Sequence, residues 1–218
     1  MNSLERIKEE YHDIIENPLP NIGVCVNLPN YDNYYEWNIT YFSPRDSLYA
    51  GGVFLLKLLF PNEYPNSCLK IIFLTPIYHL NVNPKKSESE SLGKVMLDVT
   101  NWWNPGTTVR EVLTHLYSIF YCQNSNAAYG VDRAKEYINN RPLFEIKAKY
   151  FTQKYASQDN RLKQFDDKDW DFSCSEKDLE PIKLREKEKE TEKEKDKEYI
   201  NLVYLQWKNK NNHSMWNR

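Results

Sequence analysis

Four short apolar runs, each bounded by turn residues, constrain this chain more than any other feature. The second run, "YEWNITYF", alternates as a half-buried strand does, with Trp37, Ile39 and Tyr41 on one face. Turn-rich pieces such as "SPRDSLYAGG" join consecutive runs, and short turns of this kind favour antiparallel neighbours. The sequence therefore predicts a four-stranded antiparallel meander. The four runs are "IGVCVNL", "YEWNITYF", "GGVFLLKLLF" and "LKIIFL".

A helix is predicted before the meander, over residues 3–16. Ser3 is the expected N-cap, and Pro18 and Pro20 follow the last turn. Apolar residues at three- and four-residue spacing predict one buried face, which comprises Leu4, Ile7, Tyr11, Ile14 and Ile15.

Three further helices are predicted after the meander. Thr108 and Glu111 have the spacing of a capping box at the start of the first. A short helix is expected at about residues 127–138, and Pro142 suits the first turn of the last one. The inward face of that last helix is expected to hold Phe144, Ala148, Phe151 and Tyr155. This order of elements predicts an α+β domain.

The composition changes near residue 158. Residues 183–198, "KLREKEKETEKEKDKE", consist almost wholly of Lys, Arg and Glu and have no apolar stripe. Such a run forms either a solvated single helix or a disordered segment. We therefore expect one domain over residues 1–157 and a charged extension over residues 158–218, partly helical or disordered.

Composition excludes several classes of function. A formal net charge of −2 gives no excess of cations for binding nucleic acid. No apolar run is long enough for a membrane span, and the charged N-terminus lacks the apolar core of a signal peptide. Four scattered cysteines indicate neither zinc nor a disulfide framework. We expect a cytoplasmic or nuclear protein without a metal or cofactor.

Several phrases, in order, resemble the ubiquitin-conjugating enzyme (E2) family over about residues 3–156. The densest match is "YEWNITYFSPRDSLYAGGVFLLKLLFPNEYP", and "YHLNVN", "GKVMLDV" and "WWNP" follow it at the family's positions. The resemblance implies the UBC-like fold of these enzymes, in which a cysteine thiolate accepts ubiquitin as a thioester.

In this resemblance the family's active-site positions correspond to His79, Asn81, Met96 and Asp98. Met96, anchored by Gly93 on one side and by Leu97–Asp98 on the other, stands where the family has its catalytic cysteine. A thioether has no ionisable proton, so no catalytic set is intact. His79 is expected to brace the turn, whereas for Asn81 both bracing and oxyanion stabilisation remain open.

An insertion, "PKKSESESL" over Pro84–Leu92, lengthens the path from Asn81 to Met96 relative to the family. It is expected to be an exposed loop. Either it is a regulatory flap with serines open to phosphorylation, or it is a neutral surface insertion.

The family's partner surface combines the first helix with two loops. The corresponding candidates here are Arg6, Glu9, Asn66, Pro105 and Gly106. Asn66 stands where the family often has an aromatic anchor, which weakens the expectation of ordinary ligase binding.

Three hypotheses for function follow. The first is a non-catalytic E2 variant, a pseudoenzyme acting as a binding or scaffold subunit; its partners would be ubiquitin or a ubiquitin-like modifier, an active E2 or an E3 ligase complex. The second is an active transferase that uses a displaced cysteine or an atypical modifier. The third is a tethering protein that acts through its charged extension.

Overall fold

The computed structural model describes residues 2–20, 22–87, 91–96, 103–161 and 163–214, with side chains to residue 202 except that of residue 200. The chain divides into two compact units, Met1–Ser173 and Cys174–Arg218.

The first unit contains the expected antiparallel meander. Its strands are β1 (Val24–Asn27), β2 (Glu36–Phe42), β3 (Val53–Leu59) and β4 (Lys70–Phe73), hydrogen-bonded in the order β1-β2-β3-β4. The alternation predicted for β2 is confirmed, because Trp37, Ile39 and Tyr41 are all fully buried. The Tyr41 hydroxyl donates to the Leu113 carbonyl oxygen at 2.6 Å, which ties the inner face of the sheet to the helix that follows.

Four α-helices accompany the sheet among the described residues of the first unit. They are α1 (Ser3–Glu16), α2 (Val109–Tyr117), α3 (Val131–Asn139) and α4 (Arg141–Tyr155). The Thr108–Glu111 capping box of α2 is confirmed, as is the early proline of α4. The four residues expected on the inward face of α4 are all buried. An N-terminal helix, a four-stranded meander and then helices make up the predicted α+β fold.

Three details of the helices differ from the predictions. The N-cap of α1 is Asn2 rather than Ser3, because the Asn2 side chain accepts from the Glu5 N–H in a capping box. Ile15 is 48% exposed and so lies outside the buried face. Helix α3 begins at Val131 rather than near residue 127, since a 3₁₀ turn over Ser125–Ala127 precedes it and Gly130 has a φ of +93°.

The first unit extends past residue 157, the end expected for the domain. Residues 163–173, here called the strap, pack onto it through separate aromatic side chains. Trp170 is only 6% exposed, and the Phe172 ring lies 5.0 Å from that of Phe151. The Tyr155 hydroxyl donates to the Asp171 carbonyl oxygen at 2.9 Å. A few large aromatics can anchor a polar segment because each buries a large apolar area.

The second unit contains one long helix, α5 (Glu176–Ser214), which includes Pro181. The Lys/Glu-rich run is thus helical, one of the two forms expected for it. Side chains from residue 187 to residue 199 are exposed, and Lys189 pairs with Glu186 at 3.2 Å. Exposed pairs of this kind stabilise a helix only slightly. Within the described residues, the helices are all too short or too polar to cross a membrane.

Candidate functional site

The turn that follows β4 is built around His79. Its ring is fully buried, and its Nδ1 accepts from the Asn81 backbone N–H at 2.9 Å. The proton is therefore on Nε2, which donates to the Ile119 carbonyl oxygen at 2.9 Å. Both ring nitrogens are engaged, so His79 joins the turn to the segment that follows α2.

Burial lowers the pKa of His79 to about 3, since the imidazolium would lose its hydration in this site. The ring is consequently neutral at physiological pH. A second proton, on Nδ1, would also point at the Asn81 N–H and remove the acceptor of that hydrogen bond. Both facts agree with the expectation that His79 braces the turn.

The Asn81 side chain is bound to a single loop through all its polar groups. Its Nδ2 donates to the carbonyl oxygens of Asn124 and Ala127, each at 2.8 Å. Its Oδ1 accepts from the Asn124 N–H at 2.9 Å. Because both amide protons are used, Asn81 fixes the loop over residues 124–127 against the turn.

Met96 lies directly beside this turn. Its backbone N–H donates to the Asn81 carbonyl oxygen at 2.8 Å, and Val95 pairs with Val82 one residue further on. The Met96 side chain is 43% exposed. The turn and Met96 are therefore held together, with an apolar thioether at the surface. Leu97 and Asp98, which the sequence placed in the same site, lie outside the described residues.

Backbone hydrogen bonds join the two ends of the Pro84–Leu92 insertion and form a closed neck. The Gly93 N–H donates to the Asn83 carbonyl oxygen at 2.9 Å, and the Asn83 N–H donates to that of Lys94 at 2.9 Å. Gly93 has a φ of +72°, and a Cβ there would lie 2.1 Å from the Phe73 carbonyl oxygen. Only glycine fits this position. The insertion thus adds chain length without separating Met96 from Asn81.

The cysteines differ in their suitability as nucleophiles. Cys25 and Cys122 are exposed, whereas Cys68 is partly buried. Burial raises the pKa of the Cys68 thiol to about 11, so that it stays protonated near neutral pH. Cys122 lies two residues before Asn124, whose backbone binds the Asn81 side chain. Among these three, Cys122 is the exposed thiol nearest in sequence to the turn's partners.

The two loops of the expected partner surface are joined to each other. The Trp103 indole Nε1 donates to the Pro65 carbonyl oxygen at 2.8 Å, and the Trp103 and Tyr64 rings lie 5.8 Å apart. Asn66, Pro105, Gly106 and Glu9 are exposed. Arg6 is not free for a partner in the same way, because its Nε donates to Glu10 at 2.6 Å.

Glu10 was not among the site residues predicted from the sequence. Its buried carboxylate accepts from Arg6, from the Tyr64 hydroxyl at 2.6 Å and from the Val109 N–H. It therefore joins α1, the 61–66 loop and the start of α2. A signal was present, because position 10 falls on the α1 face that buries Ile7 and Ile14. A carboxylate there requires partners.

Comparison with known proteins agrees with this geometry. The fold and the turn after β4 define a domain of the ubiquitin-conjugating type. The sequence profile "Ubiquitin-conjugating enzyme" matches residues 6–152. A crystal structure of a protein assigned as a ubiquitin-conjugating enzyme from Plasmodium yoelii matches with a TM-score of 0.62 and 27% identity, over 72% of this chain and 97% of that one. The chain belongs to the ubiquitin-conjugating enzyme family.

Proposed function

We propose that this protein is a non-catalytic member of the ubiquitin-conjugating enzyme family. It acts as a binding or scaffold subunit for ubiquitin or a ubiquitin-like modifier, together with an active E2 or an E3 ligase complex. One observation supports this most directly: Met96 lies beside the Asn81 turn, where the family resemblance puts the nucleophile.

The chemistry of the side chain supports the same conclusion. An acyl carrier must attack as an anion and later depart as one, and a thiolate does both. A thioether has no proton to lose, and acylating it would give a sulfonium. Met96 can therefore contribute an apolar contact but no thioester.

The hydrogen bonds of the Asn81 side chain also support the proposal. An oxyanion needs an N–H donor aimed at the reacting oxygen. Both amide protons of Asn81 are already donated to backbone carbonyls. Of the two roles left open for Asn81, bracing is the one these bonds favour.

The test combines a charging assay with a binding assay. Full-length protein is incubated with activating enzyme, ATP and ubiquitin, and is then run on a non-reducing gel beside an active E2. We expect no reducible adduct. Isotope-labelled ubiquitin and a labelled active E2 are then titrated with the protein, and shifts in at least one spectrum are expected. A reducible adduct would contradict the proposal, and the lack of binding to either probe would exclude ubiquitin and that E2 as its partners.

The Pro105→Ala and Asn66→Ala variants would show whether the joined loops form the binding surface. Both side chains are exposed, so the variants should fold normally. Weaker binding in these variants, but not in a Lys70→Ala control on the exposed start of β4, would assign the surface.

Cys122 favours a second candidate, an active transferase with a displaced nucleophile. It is exposed, and it belongs to the segment that holds Asn81. If this alternative holds, Cys122→Ser abolishes a wild-type adduct whereas Cys25→Ser does not. Absence of any wild-type adduct across several modifiers would exclude it.

The long helix α5 favours a third candidate, tethering through the extension. A 39-residue α-helix reaches about 58 Å at 1.5 Å per residue. Truncation after Ser173 leaves the first compact unit and removes the helix. Loss of a cellular partner on truncation would support tethering, and an unchanged set of interactions would exclude it.

A further inference from the structure

A cavity of about 640 Å³ lies between the insertion and the strap. The insertion contributes Pro84, Lys85, Lys86 and Leu92, and the strap contributes Trp170 and Phe172 among others. Four cationic side chains line it against two carboxylates, so its lining is net positive. The volume is within the range of small-molecule sites.

Arg133, from α3, is the half-buried cation of this cavity. Its guanidinium carbon lies 4.3 Å from the Tyr78 ring centroid and 4.8 Å from that of Phe172. Its Nη1 donates to the His79 carbonyl oxygen at 3.1 Å. Two aromatic rings thus fix the guanidinium, which retains further N–H donors along its edge.

Two carboxylates near Arg133 have other hydrogen-bond partners, although the Glu136 charge still acts on Arg133. Glu136 accepts from the Tyr78 hydroxyl at 2.9 Å with one oxygen and pairs with Lys147 through the other. The Asp171 carboxylate accepts from the Ser173 N–H and hydroxyl, at 2.9 and 2.7 Å. Within the described part of the chain, no ion pair joins Arg133 to a carboxylate.

An arginine in this setting favours an anionic partner. Loss of hydration lowers the pKa of Arg133, and the neighbouring Tyr78, Tyr49 and Glu136 groups only partly offset that effect. A phosphate can accept two parallel N–H bonds from a guanidinium edge, which a single chloride cannot do. The exposed Lys86 and Lys168 add positive charge around it.

We propose that this cavity binds a phosphate monoester, with Arg133 as its main ligand and with Lys86 and Lys168 as supporting cations. The site goes beyond the proposed function and does not depend on it, since neither Met96 nor the partner loops take part. The phosphate has two conceivable sources: a phosphorylated serine of the chain's own insertion, such as Ser87, or a phosphate carried by another molecule.

The experiment uses the full-length chain and follows the indole N–H signal of Trp170 by NMR, assigned with a Trp170→Phe variant. The probes are inorganic phosphate and O-phosphoserine, with sulfate-free buffer and serine as a negative probe. We expect both phosphates to shift the signal saturably. Arg133→Gln and Lys168→Gln should each weaken binding, by roughly tenfold or more for Arg133.

Arg141→Gln is the matched control. Arg141 also lies over an aromatic ring, that of Tyr137 at 4.2 Å, but it pairs with Glu145 and lies outside the cavity. Arg133→Gln could disturb the packing around Tyr78. Arg133→Lys is therefore a second variant, which keeps the charge but loses the planar edge of the guanidinium. The exposed Lys168 can be replaced without such a risk.

A chain with phosphoserine incorporated at position 87 shows which of the two sources supplies the phosphate. If the insertion supplies the ligand, the modified chain shows the Trp170 shift unaided and no longer binds free O-phosphoserine. If another molecule supplies it, the modified chain shows no shift of its own and still binds the probe. The proposal is overturned if phosphate causes no saturable shift, or if Arg133→Gln binds as tightly as the wild type or the Arg141→Gln control.

Discussion

His79 and Asn81 hold the turn ahead of Met96 through bonds that end on backbone atoms. The imidazole bonds to Asn81 and Ile119, and the amide bonds to Asn124 and Ala127. At the scale of single residues, these hydrogen bonds predict a bracing role for both polar side chains. We therefore expect substitution of either residue to change the stability of the fold, which substitution of a purely catalytic residue would not do.

Stability should fall as the pH is lowered through the range set by His79. Its folded pKa of about 3 is below the value near 6.5 of an unfolded chain, so the unfolded state binds the proton first. The contribution is fully present above pH 6.5 and is progressively lost towards pH 3. We expect a loss of about 2 kcal/mol between pH 7.5 and pH 5.

Urea unfolding at these two pH values measures the effect. His79→Gln, which cannot titrate, should lack most of the difference, whereas His115→Gln should retain it. A pH dependence that is the same in wild type and His79→Gln would contradict the buried neutral ring.

Asn81→Ala should lower the free energy of unfolding by about 2–3 kcal/mol, because it leaves two carbonyl oxygens and one N–H without their partner. Asn81→Asp should cost a similar amount, since a carboxylate cannot donate to the two carbonyls. Asn126→Ala, in the same loop but exposed, is the control and should have little effect. Unchanged stability of both Asn81 variants would refute the bracing role.

At the scale of elements, Glu10 is the residue that joins α1, the 61–66 loop and α2. Glu10→Ala removes the acceptor from Arg6, Tyr64 and Val109 and leaves a partly buried guanidinium unpaired. We expect a loss of about 3 kcal/mol in thermal or urea unfolding. Glu9→Ala, next to it and exposed, should change stability by less than about 0.5 kcal/mol. Equal effects of the two substitutions would contradict this role.

The elements themselves could be predicted from the sequence because their signals are local. Alternation marks β2, and the Thr108–Glu111 spacing marks the start of α2. Two details of α1 were wrong because neighbouring residues have similar signals. Asn2 and Ser3 are both good N-caps, and Ile15 lies at the edge of the apolar face of α1.

The contacts of Glu10 and Arg133 could not be predicted in the same way. The position of the Arg133 guanidinium depends on Tyr78, His79 and Phe172, which are distant from it in sequence. Only the folded chain brings these groups together. The placement of Met96 beside Asn81 was expected from the family resemblance, and the hydrogen-bonded neck at Gly93 supplies the physical reason for it.

At the scale of the whole molecule, the strap determines where the first unit ends. Its isolated aromatics lie among charged residues, a pattern that predicted an extension rather than part of a core. A chain ending at residue 157 would expose surface that Trp170 and Phe172 cover. We expect it to be about 3–6 kcal/mol less stable than a chain ending at residue 173.

Chemical unfolding of the two truncated chains checks this expectation. The intermediate variant Trp170→Ala in the longer chain should lose part of the difference. If both truncated chains unfold at the same denaturant concentration, the strap does not contribute to the stability of the unit.

The proposed function rests on the claim that Met96 cannot carry a thioester although it lies beside the turn of His79 and Asn81. The most direct measurement is a charging assay of Met96→Cys with activating enzyme, ATP and ubiquitin, beside wild type and Met96→Ala. We predict a reducing-agent-sensitive adduct on Met96→Cys alone. An adduct on the wild type or on Met96→Ala, or none on a folded Met96→Cys, would contradict the account.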